Sequence, residues 1–583
     1  MSIRRFAMAV SLLTAFALPS PATPTHSTTA DTVTRLADEF VADYKRRFPF
    51  TVMYTGLPLE KQSDIDINSP GDLAHWRHFV RSIELQLDRI PEAELVGRPE
   101  WITRAYLSQG IAEAHSAEVC RSELWNPDGW VSRLRQIADA QPVATAKDRR
   151  EAIERWSHLS EWIDQGAVNL AQGLRAGYSG YRDAVESEVK QIDTLIAAPL
   201  EQWPTTTLAK RANDPEFARQ LGDIATNKLR PAAKRYRAFL QTKYLPKARI
   251  IPSIIGQPRG MACLRARLAS STTVDMDPNA MFDVLLARRQ AERSRILNLA
   301  RQAYNMKDSS WEELSRRLRT DSRDTFRDAG EIRSVIEPVL ARARSALPRM
   351  VITPPSGDIT VKPVPDYLRD SAPIGQFFPA SNDGTRPATF AYRGVSERFH
   401  RIVTESLTMH ETIPGHYLQL AMLAQEQART LHPITRIVMV EGSREGWATY
   451  AEGWAAELGL YSSAFDEMGS YVGSVTPSAV ADLGMQIKGW SVEQAAAYLH
   501  EEWPFDKDGQ VRGWAVNLAS SPVGGSETYP VDGMQYEAAR KRAQDALGSR
   551  FDSREYHQML LSEGALPIPA LNSKVDRWIA AHR

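Results

Sequence analysis

His410-Glu411-Thr412-Ile413-Pro414-Gly415-His416-Tyr417-Leu418-Gln419 is the stretch on which the fold reading turns. Its histidines stand six positions apart, about 600° of helical rotation and roughly 240° net, so they cannot share a face of one uninterrupted helix. Pro414 disrupts a helix and Gly415 tolerates irregular dihedrals. The helix is therefore expected to break or bulge there, letting His416 swing back toward His410. A helix that simply ends in a Pro-Gly turn, with both histidines satisfied locally, is the other reading. Upstream the texture is β. Residues 350–353 and 358–363 are short β-branched runs divided by Pro354-Pro355-Ser356-Gly357, and 388–393 (ATFAYR) alternates as a strand. Earlier still, apolar residues recur at three- and four-residue spacing. Residues 31–48 carry Val33, Leu36, Phe40, Val41 and Tyr44 on one stripe, and similar patterns follow from 73–90 through 322–346. Helical texture resumes at Ser396. The expected fold is mainly α, a large multi-helical body with a small β-sheet just before the broken helix. An N-terminal helical region, 30–345, would form walls, and 346–583 would carry the motif, the two making one integrated body around a deep cleft.

Composition narrows the function. The 583 residues contain 71 Lys+Arg and 71 Asp+Glu, so no global basic field attracts nucleic acid or an anionic membrane. Arg4 and Arg5 precede an uncharged run, Phe6 to Leu18, and Ser20-Pro21-Ala22 offers small residues for cleavage. That layout reads as a signal peptide over 1–22, for a periplasmic or secreted product. No Cys stands near the cleavage point, which argues against a lipoprotein, and no later stretch is apolar enough to span a membrane. Cys120 and Cys263 are the two cysteines. In an oxidising compartment they are a candidate disulfide, two separate buried thiols being the alternative. Phosphate-binding glycine loops, GxSxG elbows and thiol-nucleophile motifs are absent from the sequence.

The chemistry concentrates in two segments. The first is similar to the zinc-protease pattern HExxH, in which two histidines bind Zn²⁺ and the glutamate activates water, although here the spacing is longer. The second is Glu441-Gly442-Ser443-Arg444-Glu445-Gly446-Trp447-Ala448-Thr449-Tyr450-Ala451-Glu452. Read as a helix, it places Glu441, Glu445 and Glu452 on one face, where mutual repulsion favours a cation. A solvated acidic face is the alternative. His400, ten positions before the motif, is the further histidine to check.

Together, His-Glu-x-x-Pro-Gly-His-x-x-Gln and Glu-Gly-Trp-Ala-x-Tyr-Ala-Glu resemble the bacterial DUF885 family, grouped with zinc metallopeptidases of the gluzincin type. The resemblance runs from about residue 35 to Ile579 and implies a zincin-like body. It also implies Zn²⁺ held by His410, His416 and Glu445, with Glu411 as general base, in an exported peptidase acting on short peptides. For the oxyanion it offers Tyr529, in Tyr529-Pro530-Val531-Asp532-Gly533, one residue longer than the family's Tyr-x-x-Gly-like spacing; a core or turn tyrosine is the alternative. Where the family shows Asp-x-Gly-x-His, this chain has Asp482-Leu483-Gly484-Met485-Gln486. Gln486 can donate a hydrogen bond but cannot become a cation near neutrality. Asp482 is a candidate to orient a ligand histidine, or a helix cap. Glu441 and Glu452 are further candidates around the metal or substrate. The strand at 388–393 is a candidate edge for aligning substrate backbone, or a structural hairpin. Two other functions fit the same residues: a metal-binding helical scaffold with little hydrolysis, and a zinc hydrolase for non-peptide amides or esters.

Overall fold

A computed structural model describes residues 28–583 apart from 128, 307–309, 365–368, 370–372, 381–386, 396–398, 428–430, 504 and 506–507. The candidate signal segment 1–22 and the helical restart at Ser396 lie outside the described residues. Local rules build the helical body. In α1 (Thr29–Arg47), Thr28 and Asp31 form a reciprocal capping box, which satisfies amides that have no intrahelical acceptor. Val33, Leu36, Ala37 and Phe40 fall on one buried face, and Lys45, Arg46 and Arg47 occupy the last turn, where the helix dipole favours cations. Asp277 and Asp328 likewise cap α4 (Pro278–Tyr304) and α5 (Ala329–Met350), which carry Arg301 and Arg349 in their last turns, while α2 (Pro99–Cys120) and α3 (Gly260–Thr272) start without a side-chain cap. The Cys120–Cys263 disulfide joins α2 to α3, with Cα atoms 4.6 Å apart.

The protein is mainly α, with one small sheet of β1 (Ile359–Pro363), β2 (Gly375–Phe378) and β3 (Ala388–Tyr392). The order is β1-β3-β2; β1 runs parallel to β3 and β2 antiparallel to it. Two expectations need correction. Residues 350–353 form no strand: Met350 closes α5 with its side chain buried, and Pro354-Pro355 lack the amides a ladder needs. The strand at 388–393 is not an edge either. β3 is central, so both its sides are already hydrogen-bonded, and β2 holds the outer position.

After the sheet come α6 (Thr404–Glu411), α7 (His416–Gln427), α8 (Glu441–Glu457), α9 (Thr476–Ile487), α10 (Thr528–Leu547) and α11 (Ser553–Leu561). The two ends of the chain share one apolar core: Phe40, Trp76 and Tyr106 pack in the same cluster as Met409, Trp447 and Ile579. A second core, including Trp130, Trp156 and Trp203, is drawn entirely from residues 50–248.

Behind the motif, α8 rests on aromatic packing. Trp447, Tyr450, Trp454 and Tyr556 surround His557, whose ring stacks on Trp454 at 3.6 Å between centroids, and Tyr536 packs against Trp447. The His557 Nδ1–H donates to the Ser553 carbonyl and Nε2 accepts from the Tyr450 hydroxyl, both at 2.6 Å. Both ring nitrogens are thus satisfied by the neutral imidazole. Burial, with Arg540 nearby, pushes the His557 pKa down to about 3. Below its ordinary value near 6.5 the unfolded chain takes up a proton that the folded chain refuses. Stability should therefore hold above pH 6.5 and fall as pH drops from 6.5 toward 3, by about 5 kcal/mol at the acid end. His557→Gln keeps one donor and one acceptor without the titration, so its urea midpoints between about pH 7 and 4 should vary less than wild type. Equal slopes would refute the assignment.

Candidate metal centre

The helix carrying the motif is broken: α6 ends at Glu411 and α7 begins at His416, with a cis Ile413–Pro414 peptide between them. The chain doubles back so closely that Gly415 N–H donates to the Met409 carbonyl at 3.0 Å. A Cβ at position 415 would lie 1.9 Å from the His410 carbonyl oxygen, so only glycine fits. From α8, Trp447 Nε1–H donates to the carbonyls of Pro414 and Gly415 at 3.1 and 3.2 Å. Gln419 on α7 donates to the Ser443 carbonyl at 3.2 Å, tying α7 to α8. This geometry returns His416 to His410, with ring centroids 4.9 Å apart.

Glu445 comes to the same point from α8. Its Oε2 lies 3.4 Å from Nε2 of His410 and 3.4 Å from Nε2 of His416. One donor atom from each of the three buried residues lies within 4.8 Å of the others. Neither Glu445 Oε2 nor His416 Nδ1 has a hydrogen-bond partner among the described residues. His410 Nδ1 lies 2.9 Å from Glu452 Oε1, an arrangement that fixes the ring and leaves Nε2 as a lone-pair donor. Burial disfavours a charged His410, but Glu445 and Glu452 outweigh it and hold the imidazole well above its usual range. Against the same burial, the two imidazoles hold Glu445 well below the carboxylate range. Both directions express one demand, positive charge among these groups. Two imidazoles, one carboxylate and an unpartnered buried oxygen match the donor chemistry of a three-ligand zinc site.

The flanking groups follow from the same break. Glu411, the last residue of α6, is buried; burial pushes its carboxyl up, while the Phe377 N–H of β2 bonds it. The Tyr529 ring, at the start of α10, stacks over His410 with centroids 5.9 Å apart and 14° between planes. Burial and the Glu445 carboxylate it faces keep its phenol protonated. His410, Glu411, Glu445, Glu452 and Tyr529 line a cavity of about 610 Å³, within the usual size range of small-ligand sites; His416 does not. Glu441 lines it too, exposed and 3.4 Å from Arg444.

The other sequence candidates stand apart from the three-residue cluster, although Asp482 and His400 line the same cavity. Asp482 neither orients a ligand histidine nor caps a helix: it is buried in the middle of α9, where Gln486 Nε2–H donates to it at 3.4 Å. The orienting carboxylate is Glu452. Gln486 does not line the cavity; its Oε1 accepts from Ile254 N–H at 2.9 Å and its carbonyl from Ser253 Oγ at 2.7 Å. His400 is held by Asp324, 2.7 Å from Nδ1, outside the three-residue cluster. Sequence reasoning missed the roles of Trp447, Gln419 and Phe377, and also the buried Asp532. The four-residue spacing of Gly442 and Gly446 was the available signal for the last. It leaves one face of α8 bare, and a Cβ at 446 would lie 2.4 Å from that of Asp532 on α10.

Comparison with known proteins agrees with this architecture. The crystal structure of "the putative lipoprotein from Colwellia psychrerythraea" superposes with a TM-score of 0.83 at 20% identity, covering 95% of this chain and 100% of that one. That of "a putative lipoprotein of unknown function from Shewanella oneidensis" gives 0.72 at 15% identity, covering 93% and 99%. At such identities the likeness is one of fold. No curated protein matches the chain. The family model described as "Bacterial protein of unknown function (DUF885)" matches residues 49–575, and the chain belongs to that family.

Proposed function

We propose that this protein is an exported zinc-dependent peptidase acting on short peptides. The observation that carries the reading is the convergence of His410, His416 and Glu445 beside a buried Glu411 on the wall of a cavity. His410, His416 and Glu445 would hold the ion, and a bound Zn²⁺ there supplies Lewis acidity and a lowered pKa for its water. Glu452 fixes the His410 ring through Nδ1. Glu411 has the position of a general base: it receives the proton of the attacking water and returns it to the leaving amine. Burial makes its carboxylate a stronger base than one in water. Tyr529 stays protonated beside Glu445 and can donate to the oxyanion as the carbonyl becomes tetrahedral. β2 brings Gly375 to the cavity wall, so the edge-strand role expected of β3 falls to β2. The enclosure favours short chains over folded proteins. Export is supported by the N-terminal signal pattern and by a disulfide suited to an oxidising compartment.

Elemental analysis of the purified protein should find one zinc per chain. Chelation should abolish peptide hydrolysis and zinc should restore it. Glu411→Gln is expected to keep its metal and lose about 10²–10⁴-fold in kcat. Metal-free protein, or hydrolysis surviving in that variant, would sink the reading; hydrolysis confined to non-peptide amides or esters would redirect it.

Two further substitutions separate the supporting groups. Tyr529→Phe should lower kcat about 10²–10³-fold with KM little changed, as for loss of one oxyanion donor. Glu452→Gln should weaken zinc affinity about 10–100-fold, read by competition with a chromogenic chelator. Unchanged values would return each side chain to a packing role.

A further inference from the structure

The zero net charge of the chain conceals a segregation. From Ile224 to Val274 the sequence holds eleven Lys or Arg and not one Asp or Glu. Some of that charge is neutralised from other elements: Arg235 by Asp164, Arg237 by Asp193 and Arg265 by Asp277. Lys243, Lys247 and Arg259 are exposed and make no ion pair among the described residues.

Between these cations lies an apolar rim. Ile250 is 70% exposed, Ile251 58%, and Ile255 and Met261 37% each. Met261 stands in the first turn of α3, and the loop bearing the three isoleucines is firmly built. The Arg249 guanidinium collects the carbonyls of Ser179, Ile251 and Pro252 at 2.7, 3.2 and 3.0 Å. Ser253 and Ile254 are bonded to Gln486, and Ile254 is buried in the cluster that contains the Cys120–Cys263 bridge. One isoleucine thus points inward as an anchor while three face water from a braced backbone. A turn that needed only to change direction would be served by polar residues. Exposed aliphatic side chains flanked by unpaired cations suit an interface whose inner layer is apolar and whose outer layer is anionic.

We propose that this loop docks the protein on an anionic phospholipid surface. Ile250, Ile251, Ile255 and Met261 enter the boundary between headgroups and acyl chains, and Lys243, Lys247 and Arg259 meet the lipid phosphates. The attraction is local, because salt screens exposed charges beyond about 10 Å, so a neutral chain can still present a basic face. None of these residues lines the catalytic cavity.

The test is sedimentation of the purified full chain with phosphatidylcholine vesicles, with and without about 30 mol % phosphatidylglycerol. Binding should be about ten-fold or more stronger to the anionic vesicles and should fall with added salt. The double variants Ile250→Ser/Ile251→Ser and Lys243→Glu/Lys247→Glu should each lose about ten-fold or more of that binding. Their thermal midpoints and any hydrolysis of a soluble peptide should stay at wild-type values. Equal binding to both vesicle types, no binding, or double variants that bind like wild type would overturn the proposal. Vesicle binding is read without any turnover, so its outcome is independent of the peptidase reading.

Discussion

A buried carboxylate oxygen 3.4 Å from two imidazole nitrogens is tenable only if a positive charge resides among them. Taking Glu445 out of water costs several kcal/mol, and the single carboxylate contact that orients His410 offsets none of that cost at Glu445 itself. The chain meets this demand through its backbone. His410 and His416 lie on either side of a break only four residues long, and the break closes because Gly415 has no side chain to strike the His410 carbonyl. His416 is therefore placed by the end of α6 rather than by its own helix. Whatever shifts that end shifts both imidazoles together.

Three neighbours hold that end. β2 contributes the Phe377 amide to Glu411, α8 contributes the Trp447 indole to the carbonyls of the break, and Gln419 ties α7 to α8. α8 is thus asked to present carboxylates on one side and aromatic rings on the other. Its aromatic side is stacked against Tyr536 and a permanently neutral His557, and its glycines let α10 approach closely enough to bring Tyr529 over His410. Rigidity on the apolar side is what keeps the polar side precise, since a cluster loosened by an ångström would leave Glu445 buried without a counter-charge.

The sequence made the helical body legible because three- and four-residue apolar spacing is a direct consequence of helix geometry, and α1 shows it with its capping box intact. It also made the broken motif legible, because six-residue spacing and Pro-Gly leave few ways to bring the histidines together. The sheet was only half visible. β1 and β3 carry β-branched or alternating residues, but Gly375-Gln376-Phe377-Phe378 has no strand signature, and without it β3 looked like an edge. Contacts between distant segments were not readable at all. Glu452 and Asp482 are both acidic residues near motif positions; their roles are separated only by which helix face packs against α6. In residues 250–258, nothing local says which isoleucines face water.

Asp482 and Gln486 show what such a hidden contact changes. Asp482 is buried beside Glu527, also fully buried, and burial raises both carboxyls, Asp482 to about 7 and Glu527 well above the usual carboxylate range. Two ionised carboxylates there would repel each other in a medium that screens poorly. The family resemblance places a histidine at 486, and an imidazolium in that place would balance one of the charges. Gln486 carries none, so neutrality must come from a retained proton. The amide, in exchange, makes a bond a protonated imidazole could not: its oxygen accepts the Ile254 amide and thereby braces the exposed loop. The departure from the family pattern leaves the cluster of His410, His416 and Glu445 untouched. It trades a charge beside the buried Asp482 for a fixed loop on the outer surface.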